Sequence, residues 1–283
     1  MITKEMIKEK VADLEKEYVD FMVDHFSEWD LWAQASQKMY DGEKVTEDEI
    51  PEPFLLEFKL FLVILEMEEK GKFDWGNPQL REIFGQLAQS PLYKLSAETI
   101  TKISLRLADC AGVKTLVEIG AGRGNLTAIM LQQIAESKLP LQLIITDVDP
   151  IVLESIDKLK SNYPQITIET LLWDIKEPPP QELLEKVQAP CLAYERASIM
   201  YANISAIENI ASIADMVVFG DMFNYTGELY AYDEIPKKIG VQPLFYSGIK
   251  PLLEKCFREH FMFDLRAQEE LKYPNTTMLI ATK

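Results

Sequence analysis

Three alternate glycines, Gly120, Gly122 and Gly124, follow a short apolar run and precede a segment with helical spacing. Glycine permits a tight turn and lets a ligand approach the backbone without a Cβ in the way. We therefore expect this turn to bind a nucleotide-type ligand. An acid, Glu118, stands two residues before the first glycine, and Asn125 takes the place where a dinucleotide fingerprint, G-x-G-x-x-G, needs its third glycine. A nicotinamide-dependent enzyme is disfavoured for that reason.

Two further carboxylates follow the next two candidate strands. Asp147 ends the second apolar run, and Asp174 comes just after the third. A carboxylate only accepts hydrogen bonds, so it suits a ribose diol, which can donate two of them. Asp149 lies close to Asp147, but its position before Pro150 predicts a helix cap instead.

Candidate proton acceptors lie after the fourth and fifth candidate strands. Glu195 is the first candidate and Asp221 the second, because both lie where open α/β sheets place their ligands, at the carboxyl ends of strands. For Glu195, an ion pair with a base such as Arg196 or a structural hydrogen bond stays equally open. His25 would be a third base, but it lies on an apolar stripe, and a hydrogen-bonded core histidine is the favoured interpretation.

The glycine turn belongs to an alternation of short apolar strands and amphipathic helices that begins near residue 113. The predicted strands are 115–119, 141–146, 166–171, 191–194 and 216–219. This alternation predicts a mostly parallel, doubly wound sheet with helices on both faces. The last two predicted strands, 261–266 and 277–282, are joined by a turn too short for a crossover, so this pair should be antiparallel.

The first third of the chain has no strand pattern. Apolar side chains recur at helical spacing up to about residue 40 and again from Phe54 to Leu65. Further helices are predicted after Pro78 and from Ser96, a residue suited to a cap. We therefore expect an all-helical lid or cap module over residues 1–95 and an α/β domain over residues 96–283.

Charge excludes some partners. The 283 residues contain 29 Lys and Arg against 46 Asp and Glu, a net charge of −17. A surface of that sign repels phosphate backbones and anionic lipid, so nucleic acid and a membrane surface are poor candidates for the main partner. The first 75 residues are the most acidic part, and a solvated acidic face is favoured there over a docking surface for a cationic partner.

The cysteines and the apolar stretches predict the cellular setting. Cys110, Cys191 and Cys256 lie far apart without metal-ligand spacing, so we expect reduced thiols and neither a disulfide framework nor a zinc site. The first ten residues carry acids among their bases and lack the apolar run of a secretory signal. The most apolar stretch, Phe54 to Met67, is too short to span a bilayer. A cytoplasmic protein is the expectation.

The motif of an acid two residues before G-x-G-x-G resembles that of the class I S-adenosylmethionine-dependent methyltransferases. The resemblance covers roughly residues 96–283. It implies a Rossmann-like sheet of seven strands, mostly parallel with an antiparallel last strand, and S-adenosylmethionine as cofactor. In that family the acid after the second strand binds the ribose, and an Asp after the third strand and the next backbone N–H bind the adenine. The resemblance assigns donor binding to Glu118, Gly120, Ala121, Gly122, Gly124, Asp147, Val148, Asp174 and Ile175.

The donor's methyl group is already activated on a sulfonium, so the protein must align an acceptor in line with the S–CH₃ bond and exclude water. A base is needed only when the acceptor is a phenol, a carbon acid or a protonated amine. We expect a small, aromatic or apolar metabolite as the acceptor. A peptide or protein side chain, or a catalytically silent fold used for binding, remains open, as do the acceptor atom and the oligomeric state.

Two segments are expected to set acceptor specificity. One is the connection after Asp221, which is long and rich in aromatic residues and so is typical of a lid or binding loop. Its aromatic residues are Phe223, Tyr225, Tyr230, Tyr232, Phe245 and Tyr246. The other is the helical module, whose aromatic stripe of Tyr18, Phe21, Trp29 and Trp32 would either wall the site or pack in the core, with the core favoured for any single residue.

Overall fold

The computed structural model describes residues 2–40, 42–70, 77–196, 198, 205–220, 246–263 and 278–283. Its helices are α1 (Lys4–Asp24), α2 (Phe26–Tyr40), α3 (Leu55–Glu69), α4 (Pro78–Leu87), α5 (Pro91–Ala111), α6 (Asn125–Ser137), α7 (Pro150–Lys160), α8 (Gln181–Lys186), α9 (Ser205–Ile213) and α10 (Tyr246–Cys256). Its strands are β1 (Thr115–Ile119), β2 (Gln142–Asp147), β3 (Thr167–Leu172), β4 (Cys191–Arg196), β5 (Met216–Gly220), β6 (Glu259–Met262) and β7 (Met278–Thr282).

The strands form one seven-stranded sheet in the order β3-β2-β1-β4-β5-β7-β6. The first five pair in parallel, whereas β7 is antiparallel to both of its neighbours. The predicted fold class, a mostly parallel doubly wound sheet with an antiparallel ending, is therefore confirmed. The strand order reverses between β1 and β4, and in open α/β sheets ligands bind outside the carboxyl ends of the strands at such a point.

Both faces of the central strands β1, β4, β5 and β7 are buried, which explains why these strands are nearly continuously apolar. Alternate side chains along a strand point to opposite faces of the sheet, and the two faces pack into two separate cores. Leu116 and Tyr194 face the core shared with α1, α5 and α6. Val117 and Ala193 face the core shared with α8, α9 and α10.

The amino-terminal helices divide between two environments. The buried face of α1 belongs to the main core, and its Tyr18 ring meets Phe263 edge-on with 6.0 Å between the ring centroids. Helices α3 and α4 instead share a smaller cluster around Leu80 and Leu87. The main core thus includes α1 and Phe58 of α3, while another face of α3 packs with α4 in the smaller cluster.

Two predictions about helices were wrong. The periodic segment up to residue 40 is two helices that break at His25, whose ring Nδ1 lies 2.9 Å from the Phe21 carbonyl oxygen. Helix α5 begins at Pro91 after the cap residue Ser90, and not at Ser96, which lies fully buried inside the helix. Proline is favoured in the first turn because that turn needs no amide donor. Within the described residues, no helix has the length and apolarity needed to cross a membrane.

Candidate active site

The glycine turn between β1 and α6 is held in left-handed backbone conformations. Gly120, Gly122 and Gly124 have φ values of 65°, 53° and 76°, which side chains other than glycine rarely adopt. A Cβ on Gly122 would meet no atom within 4 Å, so the turn opens to free space there. Helix α6 has no side-chain hydrogen bond at its N-cap, Gly124. Its first amides therefore suit an anionic group such as a carboxylate.

Asp147 lies beside this turn at the end of β2 and is almost fully buried. Its Oδ2 accepts a hydrogen bond from the Gly122 amide at 2.8 Å, and its Oδ1 accepts one from the Asp149 amide at 2.9 Å. Burial raises the pKa of this carboxyl above its ordinary value, and the two amides oppose that shift. Each carboxylate oxygen can accept more than one hydrogen bond, so the group can still receive a ligand's hydroxyls.

Asp149 has the capping role expected of it. Its Oδ1 accepts a hydrogen bond from the Ile151 amide at 2.9 Å at the start of α7. Its Oδ2 meets the Arg81 guanidinium of α4 at 2.6 Å, a contact that the sequence did not predict. Asp149, two residues after the ribose-binding candidate Asp147, is thus held by both the start of α7 and a distant arginine.

An apolar surface adjoins Asp147. Val148, Ile151 and Leu172 are 63%, 58% and 57% exposed, although such side chains are usually buried in a folded protein. Leu172 is the register partner of Asp147 on the neighbouring strand, and Val148 follows Asp147 directly. Exposed apolar groups beside strand-end carboxylates suit a ligand that has a flat apolar ring and a polar sugar.

The segment after β3 is anchored to the same edge of the sheet. The Trp173 amide donates to the Asp147 carbonyl oxygen at 3.0 Å, and the Trp173 indole N–H donates to the Glu177 carbonyl oxygen at 3.0 Å. Asp174 Oδ1 accepts from the Lys176 amide at 3.0 Å. The Ile175 carbonyl accepts from the Asn209 side chain of α9 at 2.8 Å. These bonds fix the backbone that the resemblance assigns to adenine binding.

Glu118 lies beneath the turn and away from its open side. Its carboxyl is fully buried and accepts hydrogen bonds from the hydroxyl groups of Thr127 at 2.9 Å and Tyr194 at 3.0 Å. Burial raises the pKa of Glu118 to about 8, against the opposing effect of these two hydrogen bonds. Alternation along β1 could have predicted this placement, because Glu118 shares the parity of Leu116, which faces the core. The structure thus surrounds this predicted donor-binding side chain with protein.

No family model matches the chain. Among curated proteins, the chain is 29% identical over 118 residues, 39% of its length, to a non-reducing polyketide synthase of Penicillium rubens. It is 30% identical over 100 residues, 34% of its length, to the histidine N-alpha-methyltransferase of Mycolicibacterium smegmatis. These matches span 4% and 31% of the two relatives' own lengths.

Solved structures match far more of the chain. The CMeT domain of the citrinin polyketide synthase superposes with a TM-score of 0.61 and 17% identity, over 81% of this chain and 68% of that one. For the CurJ carbon methyltransferase the TM-score is 0.64 and the identity 13%, over 85% and 72%. For the trans-methyltransferase CalH in complex with SAH the values are 0.53 and 16%, over 88% and 72%.

The chain has the fold of the class I S-adenosylmethionine-dependent methyltransferases. The resemblance drawn from the glycine turn is therefore confirmed for the fold. The Mycolicibacterium smegmatis relative and the solved CurJ protein are methyltransferases by name, and CalH was solved in complex with SAH. The open glycine turn, the carboxylate of Asp147 and the apolar surface beside it have the chemistry to receive the amino-acid tail, ribose and adenine of S-adenosylmethionine.

On the other side of this methyltransferase fold, Glu195 is fully buried near the end of β4. Its Oε2 accepts a hydrogen bond from the Ser198 amide at 2.6 Å. Arg196 points to α5, where its guanidinium lies 4.0 Å from the centre of the Tyr93 ring and its Nε donates to the Ser96 hydroxyl at 3.2 Å. Asp221, the second candidate base, lies outside the described residues, as do the aromatic residues 223–245.

The sequence patterns did not identify Ser198 or Tyr93 as site residues. The Ser198 hydroxyl donates to the carbonyl oxygen of Ile119 at 3.0 Å, and a Cβ on Gly120 would lie only 2.3 Å from that hydroxyl. Ser198, two residues after β4, therefore lies directly against the glycine turn. Neither residue belongs to a motif or a periodic pattern, so no local signal identifies it.

Proposed function

We propose that the chain transfers the methyl group of S-adenosylmethionine to a small, aromatic or otherwise apolar metabolite by in-line displacement. The observation that carries the proposal is the convergence of the open glycine turn, Asp147 and an exposed apolar surface at one edge of the sheet. The cofactor would supply a methyl group already activated on its sulfonium. The residues of this chain bind it, orient it and exclude water.

Each donor-site residue has a proposed role. Gly120, Ala121, Gly122 and Gly124 form the turn that holds the donor's amino-acid tail, with the first amides of α6 facing its carboxylate. Asp147 accepts hydrogen bonds from the ribose hydroxyls, while Val148, Asp174 and Ile175 contact the adenine. Glu118 acts indirectly, because both of its oxygens already accept hydrogen bonds from the protein. It fixes β1 against β4 and α6 under the turn.

We propose Glu195 as the proton acceptor for an acceptor substrate that must lose a proton. Its position near the carboxyl end of β4, next to the strand-order reversal, supports that role. The hydrogen bond from the Ser198 amide supports a structural role instead. Glu195→Gln separates the two, because a glutamine oxygen still accepts from that amide but the side chain takes up no proton. A general base contributes about 10² to 10⁴ in rate, so a full-rate variant would leave only the structural role.

The acceptor is proposed to lie between the ends of β4 and β5 and the amino-terminal helices, which act as a cap. Tyr93 supports this arrangement, because its ring contacts Arg196 at the end of β4 and the apolar cluster of α3 and α4. Removing residues 1–75 would not test the cap alone, because it would also remove α1, whose Tyr18 packs in the main core. A peptide acceptor and a catalytically silent binding role are the alternatives.

One experiment tests the proposal in two steps. S-adenosylmethionine and S-adenosylhomocysteine are titrated calorimetrically into the full chain, and methyl-labelled donor is then incubated with pools of small aromatic metabolites and of basic peptides. Donor binding together with label transfer to a small molecule is the expected result. Transfer to peptides alone would favour the second acceptor class. Binding without transfer would favour the silent fold, and absence of binding would reject the proposal.

A further inference from the structure

A closed circuit of contacts joins the glycine turn to helix α4. The Gly122 and Asp149 amides donate to the two oxygens of Asp147 at 2.8 and 2.9 Å. Arg81 Nη2 contacts Asp149 Oδ2 at 2.6 Å, and Arg123 Nη1 donates to the Arg81 carbonyl oxygen at 2.5 Å. Arg123 directly follows Gly122, so the chain itself closes the circuit. Helix α4 thus contacts the donor site in two places, at Asp149 after β2 and at Arg123 in the glycine turn.

The second contact is tightly packed. A Cβ on Gly85 would lie 3.2 Å from Arg123 Nη1 and 3.3 Å from its Cζ, closer than such atoms usually approach. The absence of a side chain at Gly85 therefore leaves the space in which the Arg123 guanidinium reaches the Arg81 carbonyl. Glycine inside a helix is about 1 kcal/mol less favourable than alanine. Gly85 therefore lowers the stability of α4 but allows the Arg123 guanidinium to lie close against the helix.

We propose that Arg81 is a positioning residue for the methyl-donor site: it holds Asp149, and through the Asp149 amide it keeps Asp147 in its donor-binding orientation. Helix α4 thereby couples the amino-terminal helices to the affinity for the donor. The inference rests on the proposed function, because it takes S-adenosylmethionine as the ligand of Asp147.

A second interhelical pair shows what a purely structural bridge would do. Arg106 of α5 contacts Asp13 of α1 at 2.5 Å, and its side chain is 38% exposed, as is that of Arg81 in its pair with Asp149. Both pairs join the amino-terminal helices to later parts of the chain. Surface ion pairs of this kind contribute little to stability. Only the Arg81 pair connects to Asp147, so only its loss should change donor affinity.

The experiment compares Arg81→Ala with Arg106→Ala in the full chain, by calorimetric titration with S-adenosylhomocysteine and by thermal unfolding. We expect Arg81→Ala to weaken binding about fivefold or more, a size typical of coupling between sites, and Arg106→Ala to change it less than about twofold. Both should lower the unfolding temperature only slightly, because both arginines are partly exposed. Equal affinities of the two variants would overturn the proposal.

Three further variants keep the test decisive if Arg81→Ala does not fold. Asp149→Asn retains an oxygen for the Ile151 amide but loses the ion pair, so it should weaken binding, and adding Arg81→Lys to it should change little more. Gly85→Ala should shift the Arg123 guanidinium by a few tenths of an ångström and so weaken donor binding, which a merely structural role of α4 would not do. Additive losses, or tighter binding in Gly85→Ala, would overturn the proposal. If the unmodified chain binds no donor, the proposed function fails first.

Discussion

The two halves of the sheet's carboxyl edge are built by different means. The donor half, from β3 to β1, uses backbone amides, glycines and carboxylates that lie within a few residues of a strand end. The acceptor half, at β4 and β5, is closed by contacts between distant segments. Arg196 reaches Ser96 across 100 residues of chain, and a Cβ on Gly220 would lie 2.3 Å from Ile100 of α5. The donor half therefore depends mainly on groups close to a strand end, with a long-range contact from Arg81 to Asp149, whereas the acceptor half depends mainly on long-range contacts.

The difference follows from what each half is proposed to bind. A donor of constant structure is served by fixed backbone geometry, which a short motif is able to specify. An acceptor site gains its shape from whichever helices and loops pack over it, and loops carry such variation at low cost to the scaffold. Substitutions in the donor half should therefore change donor affinity, and those in the acceptor half should change turnover alone.

The largest expected effect belongs to Gly120→Ala. The new Cβ would lie 2.3 Å from the Ser198 hydroxyl and at a φ of 65°, a left-handed conformation that costs an L-residue about 1–2 kcal/mol. We expect calorimetry to detect no donor binding. Gly220→Ala is the matched variant in the acceptor half, because its Cβ would also lie 2.3 Å from a side-chain atom, Ile100 Cδ1.

Gly220→Ala should keep its donor affinity and lose turnover, because β5 ends on the acceptor side of the sheet. If instead both glycine variants lose donor binding, the two halves are not separable. If Gly120→Ala binds the donor normally, the turn is not the site of the amino-acid tail.

Asp147→Ala should have the next largest effect. A hydrogen bond to a charged group contributes about 1.5–3 kcal/mol, so donor binding should weaken about 10- to 100-fold in a calorimetric titration. Asp215→Ala is a suitable control, because Asp215 Oδ2 also accepts from a backbone amide, that of Cys191, at 2.9 Å. That amide begins β4, at the opposite edge of the sheet. An unchanged affinity in Asp147→Ala would reject the ribose assignment.

Sequence patterns predicted the donor half more completely than the acceptor half, for physical reasons. Strand alternation predicted the mostly parallel sheet with its antiparallel ending, and β1 was predicted to the residue. The start of α5 was missed because Ser96 suits a helix cap, although Pro91 directly after Ser90 is a local signal for a helix start. Arg81 was missed because its partner, Asp149, lies 68 residues away. Local propensity does not encode such a pairing.

Glu118 links the donor half to the acceptor half, because it belongs to β1 and accepts a hydrogen bond from Tyr194 of β4. Its pKa is raised from 4.5 to about 8 by burial, so the folded state binds a proton that the unfolded state has already released. This contribution to stability is complete below pH 4.5 and is lost as the pH rises towards 8, at up to about 1.4 kcal/mol per pH unit. Glu118→Gln should remove that slope in denaturant titrations between pH 5 and 8.

Glu57 of α3 gives a control for this slope outside the sheet. Burial raises the pKa of Glu57 to about 7, so it contributes a slope of the same sign over a narrower range. Glu57→Gln should therefore flatten the stability profile below pH 7 and leave the part between pH 7 and 8 that belongs to Glu118. A profile that is unchanged in Glu118→Gln would show that its carboxyl is ionised when buried.

The smallest expected effect concerns Tyr93, which joins the acceptor half to the α3 and α4 cluster. A cation–π contact contributes about 0.5–1 kcal/mol at exposed sites and more when desolvated, so Tyr93→Leu should slow turnover by a factor of about two to five. Tyr93→Phe retains a ring 4.0 Å from the Arg196 guanidinium and should be close to normal. Donor affinity should be the same in both variants. A change in donor affinity without a change in turnover would place Arg196 in the donor half and remove the division between the halves.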